Sequence, residues 1–291
     1  MKTLEGKVAL ITGGASGIGR AIGEEMASRG CEVVLADRQA SVAEEIAKGI
    51  RDRGGRASAV SLDVRDRGAF ERVARDVIAR SGQIDFLFNN AGIAIGGDVE
   101  HYGATDWDDV IDVNLRGVTN GIHAVYPHMI ARKSGHIVNT ASVAGLVASP
   151  GNASYTATKH AVVALSKAMR VEGKLHGIRV SALCPGAIET PILTGGKFGR
   201  LNYEGVRREQ LRSLWDKARP MAPDVFAKKV VDAVVRNTAI IVVPSWWKAF
   251  WYVDRLSPGL SMRIWARVHD GLRRDLERMG AKPRQEPKTD G

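Results

Sequence analysis

One short apolar run that ends in glycines and turns at once into a helix limits what this chain can fold into. Residues 7–12 (KVALIT) read as a buried parallel strand. They break into Gly13-Gly14-Ala15-Ser16-Gly17-Ile18-Gly19, and a helical pattern follows over residues 18–29. Strand, glycine loop and helix in that order form the context a dinucleotide site requires. Glycines let the backbone approach a pyrophosphate, and the helix N-terminus offers free N–H groups and the positive end of its dipole. Gly13, Ser16, Gly17, Ile18 and Gly19 are therefore candidate cofactor contacts. A plain glycine-rich turn would read the same way in isolation, so the rest of the chain has to decide.

The rhythm repeats. Predicted strands at 32–36, 56–62, 84–88, 135–139 and 178–183 alternate with helical patterns at 41–53, 66–80, 106–131 and from about Ser154 onward. A helix at 223–236 and a last strand at 240–243 close the series. This alternation predicts an α/β fold: a doubly wound, Rossmann-type parallel sheet covered by helices on both faces. Ligands of such sheets sit beyond the strand C-termini, at the switch point in strand order.

Chemistry-bearing residues gather at those ends. Asp37 closes the second strand, where a carboxylate can bond both adenosine ribose hydroxyls and repel a 2′-phosphate, which favours NAD over NADP. Arg38 could serve a 2′-phosphate instead, although a solvated surface charge is the preferred reading. Asp63 and Val64 follow the third strand, placed for adenine. Asn90, Ala91 and Gly92 follow the fourth, where small and amide residues let the chain pass close to a cofactor. Pro185, Gly186, Ile188 and Thr190 follow the sixth, where a turn could lie against the nicotinamide.

The remaining candidates occupy residues 139–159 (NTASVAGLVASPGNASYTATK). Ser142 follows a predicted strand, and Tyr155 and Lys159 stand four apart on one helical face. A cationic neighbour favours phenolate and is expected to lower the tyrosine pKa toward the range of a general acid/base. The group suits proton transfer at a carbon-bound oxygen. No histidine base stands beside the serine, and His160 falls on a different face. Asn114 interrupts the long helix at 106–131; asparagine is a poor helix-interior residue, so a local bend with a purpose is expected.

In this order and spacing the chain resembles the classical short-chain dehydrogenase/reductase family. The resemblance rests on Thr12-Gly-Gly-Ala-Ser-Gly-Ile-Gly19, Asp63, Asn89-Asn-Ala-Gly92, Asn114, Ser142, Tyr155-Thr-Ala-Thr-Lys159 and Pro185-Gly186. It covers residues 5–190 with specificity and extends to about 245 in fold. It implies that Tyr155 is the general acid/base, that Lys159 lowers its pKa and holds the nicotinamide ribose, that Ser142 positions the substrate oxygen, and that Asn114 keeps a water linking Lys159 to solvent. The implied activity is NAD-dependent interconversion of a secondary alcohol and a ketone. It needs no metal, and no His/Cys/Asp cluster argues for one. Homodimers or homotetramers through helices 106–131 and 154–176 are implied as well. The alternatives are an NADP-dependent carbonyl reductase, a non-catalytic dinucleotide-binding sensor or scaffold, and an extended sugar-nucleotide epimerase.

Charge separates the last third from the rest. Of 291 residues, 1–190 hold 22 Lys+Arg against 21 Asp+Glu, whereas 191–291 hold 20 against 11. Five of the six tryptophans also lie beyond residue 190. Residues 1–244 are expected to form the catalytic domain, with a substrate lid at about 191–220. Gly195, Gly196 and Gly199 suit a moving lid, and Phe198, Leu201, Tyr203 and Trp215 would line a lipophilic pocket or pack the lid down. Residues 245–291 form an aromatic and basic extension: SWWKAFWYV, then an i, i+4 row of Leu260, Ile264, Val268, Leu272 and Leu276 beside Arg263, Arg267, Arg274 and Arg278. Docking on its own or a partner subunit is the first reading of this helix. Peripheral membrane contact is the second. Nucleic acid is not expected, since no recognised motif accompanies the charge. The lid aromatics and the membrane reading both favour a hydrophobic substrate such as a steroid, retinoid, long-chain or terpenoid alcohol. The N-terminus carries no signal-like segment, no apolar run is long enough to span a bilayer, and Cys31 and Cys184 form no framework. A cytoplasmic protein is expected, with contact to the inner face of a membrane under the second reading. Cys184 reads as a small buried residue and not a nucleophile. Residues 282–291 are expected to be disordered.

Overall fold

The structure is a computed structural model and describes residues 4–194 and 199–284. In chain order the elements begin β1 Val8–Thr12, α1 Gly17–Ser28, β2 Glu32–Asp37, α2 Ala40–Asp52, β3 Arg56–Ser61, α3 Arg67–Ser81 and β4 Phe86–Asn89. Next come β5 Ala94–Gly96, α4 Ala104–Ile111, a π-helical turn Asp112–Arg116, α5 Gly117–Arg132, β6 Gly135–Thr140, α6 Ala153–Gly173 and β7 Ile178–Pro185. The last third adds β8 Gly199–Leu201, β9 Tyr203–Glu204, α7 Arg208–Asp216, α8 Pro223–Val235, β10 Ile240–Val243, α9 Trp247–Leu256, α10 Pro258–Arg278 and β11 Lys282–Pro283.

Seven strands form one sheet in the order β10-β7-β6-β4-β1-β2-β3, and every pairing is parallel. Parallel strands need crossover helices, and these cover both faces. Strand β1 shows the result: Ala9 and Ile11 point into one core with α1 and α8, while Val8 and Leu10 point into the other with α3 and α5. Chain order reverses between β1 and β4, so the switch-point crevice opens beyond Thr12 and Asn89.

The long helix expected over residues 106–131 is one rod with a flaw. The π turn Asp112–Arg116 sits inside it and holds Asn114, which is fully buried. An extra residue in a helical turn is a recurrent mark of functional sites. The short strands β8 and β9 lie in the segment expected to be a lid: β8 pairs with β5, and β9 pairs with β11. Residues 282–284, expected to be disordered, are instead tied down, since Lys282 and Pro283 lie opposite Glu204 and Tyr203 and the Arg284 N–H donates to Asn202 O at 3.0 Å. An exposed strand edge recruits a partner strand, and composition alone does not show it.

The extension docks on its own chain. Trp247, Phe250, Trp251 and Trp265 pack against a core cluster that includes Leu146, Val147, Cys184 and Val242. The apolar row of α10 is split, however. Leu276 is buried and Ile264 and Leu272 half-buried, but Leu260 and Val268 are exposed, because Ser261, Trp265 and His269 share the inward face. Among the described residues, no helix is long and apolar enough to cross a membrane.

Candidate active site

The glycine loop is shaped by what has no room to be there. A Cβ at Gly19 would stand 2.2 Å from Gly13 O and 2.6 Å from the Asn90 amide nitrogen. Gly13 and Gly17 hold φ of +68° and +51°, a region that side chains disfavour. Ser16 caps α1 in an extended conformation, so the free N–H groups of the first turn face the crevice mouth. Thr12 fastens the loop to the next strand: its Oγ1 accepts from the N–H groups of Asn90 (2.9 Å) and Ala91 (3.0 Å) and donates to Phe88 O (3.3 Å). Asn90 Nδ2 donates to Thr12 O (3.1 Å), and its Oδ1 accepts from Thr140 Oγ1 (3.3 Å).

Asp37 is buried at the end of β2. Its Oδ2 accepts from the Ala15 N–H at 3.1 Å and its Oδ1 from the Gln39 N–H at 2.9 Å, so the carboxylate braces the glycine loop. Each oxygen keeps a lone pair for a ribose hydroxyl. Arg38 is half exposed and lies 4.0 Å from Asp63. Arg65 takes the Asp63 carboxylate at 2.7 Å, and this hydrogen bond first of all holds that carboxyl below its usual range. Val64 is buried against Gly117, and its carbonyl accepts from Asn120 Nδ2 at 2.9 Å.

At the other end of the crevice the predicted residues meet. Gly92 lies between Asn114 and Lys159, since a Cβ there would sit 3.3 Å from Asn114 Oδ1 and 3.5 Å from Lys159 Nζ. The Asn114 amide is engaged with Ile93, accepting its N–H and donating to its carbonyl, both at 2.9 Å. Lys159 Nζ donates to Thr140 O at 2.8 Å and lies 5.3 Å from the Tyr155 ring centre. Ser142 Oγ donates to Pro185 O at 3.5 Å and accepts from the Ala144 N–H at 3.2 Å, and its hydroxyl stands beside the Tyr155 phenol. The order of strand ends brings these groups together: Thr140 at the end of β6 and Ser142 just past it, Pro185 at the end of β7, and Tyr155 and Lys159 from the first turns of α6.

The electrostatics differ from the expectation of a tyrosine lowered by its lysine. Burial raises the Tyr155 phenol, and the hydrogen bond to Ser142 offsets this only in part. Burial also pushes Lys159 down to about 8. The ammonium is itself desolvated, and it is directed at the Thr140 carbonyl. Cys184, behind the pair, is pushed up to about 12 by burial and is a thiol at neutral pH.

Two further placements complete the picture. Thr190 packs on Gly17, its Cγ2 lying 3.2 Å from where a Cβ would be, so the β7 turn closes over the glycine loop. Ile188 is buried in the core with Phe226 and Val243, leaving only its backbone near the crevice. In the segment after β7, Arg200 pairs with Asp106 (2.7 Å) and Asp109 (3.0 Å), and Tyr203 Oη donates to Asp98 at 3.2 Å. Arg200 and Tyr203, with Leu201 opposite Gly96 in the β5–β8 pair, thus fasten residues 199–203 onto residues 94–109. Trp215 is partly exposed, and Gly195, Gly196 and Phe198 lie outside the described residues. Among the described residues, no group of three or more His, Cys, Asp or Glu could hold a metal ion.

The family model for short chain dehydrogenases matches residues 7–196, about two thirds of the chain. The chain belongs to the short-chain dehydrogenase/reductase family. The oxidoreductase UcpA of Escherichia coli is 42% identical over 193 residues, 66% of this chain and 73% of UcpA. SadH of Mycobacterium tuberculosis is 34% identical over 246 residues, covering 84% of this chain and 88% of SadH. Among solved structures, a short-chain dehydrogenase/reductase from Burkholderia phymatum in complex with NAD superposes with a TM-score of 0.79. Its identity is 29%, over 89% of this chain and 96% of that one. As a member of this family the chain is an oxidoreductase with a nicotinamide dinucleotide fold.

Trp247 could be seen in the sequence but not placed. Its indole nitrogen lies 2.2 Å from where a Gly186 Cβ would be, so an extension residue seals the back of the β7 turn. Only a contact across 61 residues could have revealed it. Thr140 was equally hidden, because it acts through its carbonyl and not its side chain.

Proposed function

We propose that this chain is an NAD(H)-dependent oxidoreductase that interconverts a secondary alcohol and a ketone on a hydrophobic substrate. The observation that carries the reading is the meeting of Ser142, Tyr155 and Lys159 at the crevice that the Gly13–Gly19 loop enters. The dinucleotide would lie along Gly13, Ser16, Gly17, Ile18 and Gly19. Asp37, Arg38, Asp63 and Val64 would stand at its adenosine end, and Asn90, Ala91, Gly92, Pro185, Gly186, Ile188 and Thr190 toward the nicotinamide. When bound, it supplies the hydride chemistry at the substrate carbon.

The chain's own residues handle the proton. In reduction, the Tyr155 phenol donates to the carbonyl oxygen; in oxidation, the phenolate takes the hydroxyl proton. Burial favours the phenol, the form that serves reduction. Ser142 hydrogen-bonds the substrate oxygen and fixes its direction. Lys159, with a pKa of about 8, is mostly an ammonium at neutral pH and stands beside the Tyr155 ring, where its charge would favour the phenolate left when the proton moves. Asn114 and its π turn hold Ile93 and Gly92 in place beside Lys159.

The braced carboxylate of Asp37 supports NAD, since a 2′-phosphate would meet a buried negative charge. Aromatic residues packed behind the β7 turn, with Leu146 and Val147 after Ser142, support a lipophilic substrate such as a steroid, retinoid, long-chain or terpenoid alcohol. Exposed Val171 and Leu175 at the end of α6 support self-association through α5 and α6 into a homodimer or homotetramer. The two buried free thiols suit a reducing, cytoplasmic setting. The catalytic domain is read as ending at residue 244, with the lid at about 191–220.

The test is a panel of lipophilic secondary alcohols with NAD and with NADP. NAD should be the better substrate, and Asp37→Ser should shift the ratio of kcat/KM toward NADP by roughly tenfold or more, on the scale of one lost charge contact. Equal use of both by the unaltered enzyme would refute the cofactor assignment.

A further inference from the structure

Helix α9 has two apolar faces, and only one of them is covered. Trp247, Phe250 and Trp251 turn inward to Trp265 and the core. At 100° per residue, Ala249, Tyr252 and Leu256 share the opposite face. Tyr252 is 56% exposed and Leu256 86%, and Trp246, just before the helix, is 45% exposed. The connection to α10 continues the surface: residues 257–259 are exposed, followed by Leu260 and Met262 at 48% and 61%. An aliphatic tip this open is unusual on a soluble surface and marks a contact site.

A basic rim borders it. Lys248, Arg255, Arg263 and Arg267 make no ion pair among the described residues. Residues 245–284 carry nine Lys or Arg against four Asp or Glu. Two of those acids are turned to internal partners, Asp254 to Ser261 (2.7 Å) and Asp275 to Lys217 (2.8 Å). The cations are left facing out beside the apolar tip.

We propose that the α9–α10 hairpin is a docking surface for an anionic lipid bilayer. Trp246 and Tyr252 would lie at headgroup level, Leu256 and Leu260 would enter the acyl boundary, and the rim would meet anionic headgroups. Two other occupants fit less well. A symmetric contact with a second copy would bring two basic rims together. A nucleic acid would meet the rim, but it offers nothing to an aliphatic tip. The proposal does not depend on which alcohol is turned over, because it rests on the outer face alone. Trp246 stacks on Trp247 at 4.4 Å between ring centres, and Trp247 packs on Gly186, so the surface and the crevice share one aromatic wall.

The test is co-sedimentation of the full-length protein with vesicles of phosphatidylcholine alone or mixed with phosphatidylserine, alongside size-exclusion chromatography. The protein should pellet with the mixed vesicles, less with the neutral ones, and release as salt rises. The pair Tyr252→Ser/Leu256→Ser should weaken binding by roughly tenfold or more. The pair Lys248→Glu/Arg255→Glu should weaken it only on anionic vesicles, by about tenfold. All four residues are exposed or half-exposed and outside the crevice, so melting temperature should not move. Failure to pellet with any vesicle overturns the proposal. So does equal binding to neutral and anionic vesicles, or unchanged binding by the serine pair. Dissociation of an oligomer by the serine pair, with no vesicle binding by the parent protein, assigns the face to a second copy and overturns it equally.

Discussion

Lys159 concentrates the physics of this protein in one side chain. Its four-residue spacing from Tyr155 was legible, because helix geometry fixes which residues share a face. Its environment was not legible, because desolvation depends on what the rest of the chain packs around it. A lysine held at about 8 against its ordinary 10.5 binds fewer protons folded than unfolded between those values. Stability therefore rises with pH from about 8 to about 10.5, and the full penalty is felt below 8. In the ligand-free protein Lys159→Met should be the more stable form at pH 7, by up to about 3 kcal/mol. The gap should close as pH approaches 10.5. Denaturant unfolding of both proteins at several pH values measures it, and a gap that stays constant with pH would show that burial is not what perturbs the lysine. Asp37 teaches a related lesson. Its position at a strand end marked it as a candidate ribose contact, but its bond to the Ala15 N–H, which makes it part of the loop's own framework, needed coordinates.

At the scale of elements, strands β1, β2, β4, β7 and β10 were readable because a buried parallel sheet makes them largely apolar, whereas β3, a half-buried sheet edge with polar residues, was readable only from its place in the alternation. The π turn was half readable: Asn114 marked a flaw in the helix, but the kind of flaw follows from its two hydrogen bonds to Ile93. The short strands β8, β9 and β11 were not readable, being two or three residues long and paired across up to 105 residues. The glycine loop was the clearest element, and its geometry gives a sharp expectation. Gly19→Ala places a methyl group 2.2 Å from Gly13 O, and backbone must move to admit it. NADH binding, followed by nicotinamide fluorescence, should fall by roughly a hundredfold, the scale of the few kcal/mol that such a backbone clash sets. A Gly19→Ala protein that binds NADH normally would show that this helix start does not carry the pyrophosphate.

On the scale of the whole molecule, the parallel order β10-β7-β6-β4-β1-β2-β3 gathers the strand-end candidates beyond the C-terminal ends of the strands, where Asn114 and the α6 pair join them. Fold class and crevice were both legible, since they follow from alternation and from where the polar residues fall. The docking of the extension was not, because its aromatic stretch fits a core, a partner or a bilayer equally well. The assembled crevice makes one claim above the others: a phenol on α6 faces the site that the loop after β1 provides for a dinucleotide. The most direct measurement takes a secondary alcohol the enzyme oxidises and compares Tyr155→Phe with the unaltered protein, in NADH affinity and in turnover. The account predicts NADH affinity within about twofold and turnover lower by roughly 10²–10⁴-fold, the span that proton transfer supplies. Turnover that survives the loss of the hydroxyl would contradict it.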